Sequence, residues 1–274
     1  MHRTYIVVEG PHDVAFVARL LHPQGLRHVR KLDELDPAWV PLIPTRFPHR
    51  GDLLARVPVP TFIQNATHSV ALHSAEGITK IVKLFEESWA LLHGQDVRVD
   101  GFGIVLDADE GESPITRHAE LRRQLEALRL GSLKWPSPPG EVTVGPPRCG
   151  AFILPNNADT GTLEDLLLES SATTYPGLHT SATALISRVA SDPAALGLVS
   201  KDLKEFHKPS GSRKATVAAV ASVLRPGKSI AVALQDCRWL DDTAIQHTPR
   251  LTAVQAFLHR LLQLAPARDD LAGD

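Results

Sequence analysis

Apolar positions along this chain follow two rhythms, and the places where one gives way to the other mark the expected elements. Tyr5 to Val8 is a short, β-branched apolar run, which predicts a buried strand. After Gly10 the spacing turns helical: Val14, Phe16, Val17, Leu20 and Leu21 share a face. Asp13 falls in the first turn of that helix, where a carboxylate suits the helix dipole. Residues 36–66 are rich in proline and broken by the apolar runs Trp39 to Ile43 and Val57 to Ile63. Irregular connections with one or two edge strands are expected there. Val70 to Leu72 predicts another strand, then a helix from about Ala75 to Leu92 with Ile78, Ile81, Val82, Phe85, Trp89 and Leu92 as its buried stripe.

Phe102 to Leu106 predicts a further buried strand, and after a polar loop a helix from Ile115 to Leu128 turns Leu121, Leu125 and Leu128 inward. The segment Trp135-Pro136-Ser137-Pro138-Pro139-Gly140 reads as a loop or the base of a lid. Val142 to Val144 and Ala151 to Leu154 predict two more strands, the second running into the polar stretch Pro155 to Gly161. A helix opens at Thr162 to Leu168, and the remainder is mostly helical, at about Ser181 to Ala190, Ser212 to Leu224 and Leu251 to Leu264. The last residues, from Ala267, are expected to fray. The order strand, helix, strand, helix argues for a parallel α/β layer. The expected architecture is an α/β domain over residues 1–170, a central, mainly parallel sheet flanked by helices. A helical C-terminal extension over 171–274 packs on it.

Composition narrows this picture. The 274 residues suffice for one large domain or two small ones, and 43% hydrophobic content is that of a globular protein. A net charge of -2 means that any nucleic-acid surface must be a local patch. The two cysteines, Cys149 and Cys237, cannot build a structural zinc site and suit a reducing cytosol. No apolar run approaches the roughly 20 residues of a membrane span. The first residues run into a strand without a secretory h-region, so a cytoplasmic protein without membrane contact is expected.

The chemistry concentrates in two acidic clusters, Glu9-Gly10-Pro11-His12-Asp13 and Asp107-Ala108-Asp109-Glu110, each following an apolar strand. Parallel sheets present ligands at their carboxyl edge in this way, and oxygen ligands suit hard cations. If the extended conformation persists past the strand end, Asp107 and Asp109 project the same way, with Glu9 facing them from a neighbouring strand. Asp13, one helical turn on, can return to the same pocket. Clustered carboxylates raise one another's pKa. A divalent metal relieves that repulsion and can polarise a phosphodiester oxygen or activate water. Each motif alone also has a plainer reading, a turn with a helix-starting acid or a solvated loop. A calcium-binding EF-hand is excluded, because counted from Asp107 the glycine falls one place early at Gly111 and His118 stands where Glu is required.

Together and in this order, Glu9-Gly10-x-x-Asp13 and Asp107-x-Asp109 resemble the Toprim fold, the metal-binding module of topoisomerases, bacterial-type primases and overcoming-lysogenization-defect (OLD) nucleases. The resemblance covers roughly residues 4–170. Gly161-Thr162-Leu163-Glu164-Asp165-Leu166 is similar to the later acidic motif of small prokaryotic Toprim-like proteins related to the OLD nucleases. Ser210 to Ala215 resembles their lysine-bearing helix, and Ala256 to Leu262 their closing amphipathic helix. The resemblance implies Mg²⁺ or Mn²⁺ held by Glu9, Asp13, Asp107, Asp109 and Glu164, with Glu9 alternatively an acid or base. Lys214 is then the candidate to stabilise transition-state charge. The implied activity is hydrolysis of DNA or RNA, in phage defence or repair. Glu164 and Asp165 equally suit a helix's first turn, with Thr160 or Thr162 as its cap.

Absences restrict the chemistry. Tyr5 and Tyr175 are the only tyrosines, and Tyr5 is expected inside a strand, which argues against a topoisomerase. Two cysteines cannot form a primase zinc module, and no phosphate-binding Gly-x-x-x-x-Gly-Lys loop occurs, so any ATPase must be a partner protein. Lys201, Lys204, Lys208, Arg213, Lys214 and Lys228 make a basic stretch, either a solvated face or a holder of phosphate backbone opposite the acids. Of the histidines, His12 is placed nearest the acids, with His73 and His207 more remote candidates. The four tryptophans read as core or loop anchors, and 5% aromatic content gives no support to a stacking-driven single-strand binder. Two other functions stay open: a phosphoester- or nucleotide-processing enzyme with a small substrate, and a non-catalytic Toprim module that recruits a partner ATPase.

Overall fold

Tyr5 and Val7 point to one face of the first strand and Ile6 and Val8 to the other, and this alternation divides the core in two. The computed structural model describes residues 1–46, 59–109, 111–131 and 133–264. Six strands form one sheet: β1 (His2–Val8), β2 (Arg27–His28), β3 (Thr61–Gln64), β4 (His68–Ser74), β5 (Gly101–Asp107) and β6 (Arg148–Leu154), in the order β2-β3-β4-β1-β5-β6. Pairings among β4, β1, β5 and β6 are parallel, whereas β3 joins β4 and β2 joins β3 antiparallel. The architecture is thus the expected mainly parallel α/β sheet flanked by helices, with a helical C-terminal part.

On the Ile6 face pack α1 (Pro11–Leu21), α4 (Leu163–Thr174), α6 (Gly211–Leu224), α7 (Ile230–Asp236) and α9 (Pro249–Leu262). The Tyr5 face is covered by α2 (Ile81–His93), α3 (Pro114–Ala127) and a 3-10 turn at Pro37–Leu42 that buries Trp39. In α9, Leu251, Val254, Phe257, Leu258, Leu261 and Leu262 form the helical stripe that seals the first face. Gly103 of β5 lets α9 approach: a Cβ there would come within 2.5 Å of Leu261 Cδ2. Residues of 171–264 therefore share one apolar cluster with β1, β5 and β6.

Several boundaries move. The second acid-bearing strand runs to Asp107 itself, and the helix expected from Ala75 begins as a 3-10 turn at Ile78–Lys80 before α2. The helix expected from Ser181 is α5 (Pro176–Ser191), which starts five residues earlier on a proline whose missing N–H costs nothing at a helix start. Val142 to Val144 is not a strand. Only an isolated bridge links Val142 to Gly150, and Pro146 and Pro147, without N–H groups, interrupt further pairing. Of the edge strands expected in 36–66, β3 is present but lies inside the sheet between β2 and β4, β2 being the edge; Val57 and Pro58 lie outside the described residues. Short helices α7 and α8 (Asp242–His247) carry too few turns to show a period in the sequence, although Asp241 Oδ1 caps α8 by accepting from Ala244 N–H at 2.8 Å. Tyr5 is buried, its hydroxyl 2.8 Å from His73 Nδ1 and donating to Ser88 Oγ at 2.7 Å, so His73 belongs to the core. His207 is exposed beside Phe206. The expected frayed end lies outside the described residues, as does Glu110. Among the described residues no helix is long and apolar enough to cross a membrane.

Candidate active site

All four parallel strands end at one edge of the sheet, and because β1 and β5 are neighbours their acids emerge side by side. The Asp107 backbone N–H lies near enough to the Glu9 carboxylate to lower its pKa, which sets Glu9 beside the end of β5. Two residues on, α1 begins. Gly10 N–H donates to Asp13 Oδ2 at 2.8 Å, folding this buried acid back over the start of its own helix. From the far side α4 supplies Leu163 N–H to Asp107 Oδ1 at 2.8 Å. The positive ends of two helices thus meet the acids.

Asp165 has a different duty. Its Oδ2 accepts from Thr162 N–H at 2.8 Å and completes the cap of α4, so the plainer of its two sequence readings describes it. Gly161, at φ +150°, makes room for that carboxylate: a Cβ would stand 2.7 Å from Asp165 Oδ2. The Gly161 carbonyl accepts from Asp109 N–H at 3.0 Å, tying the loop after β5 to the loop before α4.

Asp109 departs from the expected geometry. Its φ of +61° ends the extended conformation, so it does not project with Asp107 as a continued strand would make it. It accepts instead from Arg117 Nη2 at 2.9 Å, while its charge still bears on Glu9. Arg117 also donates to Ala108 O at 3.1 Å and approaches Glu112 at 3.2 Å. Sequence reasoning missed this arginine. Its signal was a cation near a helix N-terminus, where the dipole disfavours it unless an acid answers it.

The charges interact strongly. Burial raises the Asp13 pKa to about 7, with Glu9 and Glu164 adding repulsion and the Gly10 N–H partly offsetting it. Asp107 is raised well above its ordinary value by burial, then by Asp13, Glu9 and Glu164. Glu9 is raised by burial and by Asp109, against the Asp107 N–H, Arg117 and Lys214. His12 is lowered by burial and Lys214, against the pull of Glu164, so the imidazole is held neutral. The charge of Lys214, at the start of α6, thus bears on Glu9 and His12, and Arg213 beside it approaches Asp165 Oδ1 at 3.4 Å. Lys208 is paired with Glu205. Lys201 and Lys204 are exposed, and none of these three lysines is among the charges acting on Glu9, Asp13 or Asp107.

Among the described residues no group of three His, Cys, Asp or Glu side chains is poised as a ready ligand set. The reason is visible in the bonds: one oxygen each of Asp13 and Asp107 is held by a helix N–H, and Asp109 is turned to Arg117. The donor chemistry nonetheless suits a hard divalent cation. Glu9 Oε2 and Asp13 Oδ1 are buried without a hydrogen-bond partner among the described residues, a costly arrangement that a cation would satisfy.

A pH dependence follows. In the metal-free protein the folded Asp13 pKa of about 7 stands above the 3.8 of the unfolded chain. Its contribution to stability is full below about pH 4 and is lost as pH rises through 7. His12 opposes this only below its ordinary 6.5. We expect the metal-free melting temperature to fall between pH 6.5 and 8, and Mg²⁺ or Mn²⁺ to raise it more at pH 8 than at pH 6. Thermal melts with metal or chelator check this, and a flat profile with no metal response would show the acids to be structural.

A family model described as a protein of unknown function, DUF3226, matches residues 3–263. No curated protein matches the chain. Among solved structures, a hypothetical protein of Pyrococcus horikoshii OT3 is similar over 96% of this chain and 98% of its own, with a TM-score of 0.51 and 17% identity, a likeness of fold.

Proposed function

We propose that this chain, which belongs to the DUF3226 family of proteins of unknown function, is a Toprim-type, divalent-metal-dependent phosphodiester hydrolase acting on DNA or RNA. The observation that carries the reading is the meeting of Glu9, Asp13, Asp107 and Glu164 at one sheet edge. There burial, with Glu9 and Glu164 adding repulsion, raises Asp13 and Asp107, and Glu9 Oε2 and Asp13 Oδ1 are buried without partners among the described residues. Such a cluster is unfavourable by itself and suits a cation. The motifs Glu9-Gly10-x-x-Asp13 and Asp107-x-Asp109 supply the Toprim resemblance.

Asp107, Asp13 and Glu9 would hold Mg²⁺ or Mn²⁺, with Glu164 supplementing them, and the metal when bound would polarise a phosphoryl oxygen and acidify water. The chain's own groups do the rest. Where Glu9 serves as base rather than ligand, its raised pKa suits it to take the proton of the water that adds to phosphorus. Lys214 and Arg117, the cations that act on Glu9, neutralise the charge gathering on the phosphoryl oxygens as the bond to the leaving oxygen breaks. The proton taken from water then passes to the leaving oxygen, with His12 as the candidate relay, so the leaving oxygen ends protonated. The unpaired state of Cys149 and Cys237 suits a reducing cytoplasm.

The test is cleavage of end-labelled single- and double-stranded DNA and RNA with Mg²⁺ or Mn²⁺ against chelator. Metal-dependent cutting is expected. Intact substrate after incubation with folded, metal-loaded protein would end the nuclease reading.

A further inference from the structure

A groove of about 720 Å³ runs along α1, with β2 and α7 among its walls. Its floor is apolar, with Val14 and Ala15 of α1 and Val232 of α7, and its open side carries His22, Arg27, His28 and Arg30. Arg27, His28 and Arg30 are exposed, and among the described residues no acid pairs with either arginine. Arg27 is nonetheless held in place, donating through Nη1 to His22 O at 2.6 Å and Leu26 O at 3.2 Å. The acid on the lining, Asp236, is answered by Arg225 at 3.5 Å. The groove is therefore a net cationic channel in a chain whose overall charge is -2.

Topology aims this channel at the candidate active site. β2 is antiparallel to β3, and β3 to β4, so the chain through β2 runs in the direction of β1. Val29 N–H donates to Phe62 O and extends the ladder, which carries Arg30 toward Thr61 at the carboxyl edge. Pro11, which also lines the groove, is two residues past Glu9. The groove follows α1, an 11-residue helix about 16 Å long. That length matches about five nucleotides at the roughly 3.4 Å per nucleotide of a duplex strand.

We propose that this groove is the nucleic-acid track of the protein, with Arg27 and Arg30 on the phosphates of a strand that leads to the acids at Glu9 and Asp107. The inference rests on the nucleic-acid reading of the substrate and gives it a location other than the Lys201–Lys208 stretch. A cationic, elongated, open channel with an apolar floor suits a polymer backbone with bases laid inward. A small phosphate ester would gain nothing from its length.

The experiment is fluorescence anisotropy of a labelled single-stranded oligonucleotide in Ca²⁺ buffer over a salt series, beside two chemical controls. The controls are Mn²⁺ binding by calorimetry and hydrolysis of bis(p-nitrophenyl) phosphate, a probe too small to need the track. The double variant Arg27→Gln/Arg30→Gln is expected to bind about tenfold more weakly, with the slope of log affinity against log salt reduced by about 1.4, roughly 0.7 per lost phosphate contact. Its Mn²⁺ binding and probe hydrolysis should match wild type, and Arg27→Lys/Arg30→Lys should restore the slope. Wild-type-like oligonucleotide binding by the Gln variant, or loss of binding in Lys201→Gln/Lys204→Gln instead, overturns the proposal. Hydrolysis of the probe by a wild type that binds no oligonucleotide also overturns it, with the phosphodiesterase left standing. Groove-dependent binding without any hydrolysis supports the track and removes the hydrolase.

Discussion

Asp107→Asn is expected to lower metal-dependent cleavage by at least about a hundredfold while raising the stability of the metal-free protein. The Asn Oδ1 can keep the bond from Leu163 N–H that Asp107 Oδ1 makes at 2.8 Å, so the start of α4 stays in place. The change replaces a carboxyl that burial and three neighbouring acids raise well above its ordinary pKa, and so removes the cost of holding it in the fold, whether charged against their repulsion or protonated. Its amide NH₂ offers a donor to the acids around it. Relief of that repulsion is expected to add on the order of 1 kcal/mol or more at pH 8 without metal. The two readouts together separate roles. A structural aspartate loses stability when neutralised, whereas a ligand in a repulsive cluster loses activity and metal affinity and gains stability. Cleavage kinetics, Mn²⁺ titration and chelator-treated melts measure all three. Full activity in a folded Asp107→Asn protein would remove this residue from the chemistry.

Trp239→Ala is expected to cost about 3–5 kcal/mol of stability, the largest effect of any single change we foresee outside the acids. The indole is completely buried in the turn between α7 and α8. Its Nε1 donates to Leu167 O at 2.8 Å, and its own carbonyl accepts from Ser170 Oγ, so it clamps α4 from two directions. For a chain of this size the loss corresponds to a melting-temperature drop of roughly 6–20 °C. Because α4 delivers Leu163 N–H to Asp107, loosening it should also weaken metal affinity. Trp239→Phe, which fills most of the volume but lacks the donor, should cost about 1–3 kcal/mol. Denaturant melts check both, and a Trp239→Ala penalty under about 1 kcal/mol would mean that α4 is held by other contacts.

Much of the fold is written locally. The alternation of Tyr5 and Val7 against Ile6 and Val8 specifies a strand buried on both faces, and the helical spacing after Gly10 specifies α1. Glu9 and Asp107 were legible because each follows an apolar run that must end somewhere, and a carboxylate marks where burial stops. The Thr162–Asp165 cap was legible for the same reason, as local hydrogen-bond chemistry within four residues. The amphipathic stripe of α9 announced itself through period alone, though ending two residues before the expected boundary.

What the sequence did not carry depends on contacts between distant segments. Periodicity reports which face of an element is buried, but not which element covers it, since strand order is set by packing among residues far apart in the chain. Only the tertiary structure placed β5 beside β1 and so brought Asp107 to Glu9. It turned Asp109 away through a left-handed backbone and gave it Arg117. It carried Lys214 from α6 to the acids while leaving Lys201 and Lys204 without a link to them. It also joined Arg27 and Arg30, which the sequence did not single out, to the lining of a groove that extends to Pro11 at the start of α1. The sequence determined the sheet-forming runs and the acids at their ends, because both are matters of local period and solvation. The company those acids keep was decided by the fold, because Coulomb energy depends on distance in space and the chain's own spacing does not contain it.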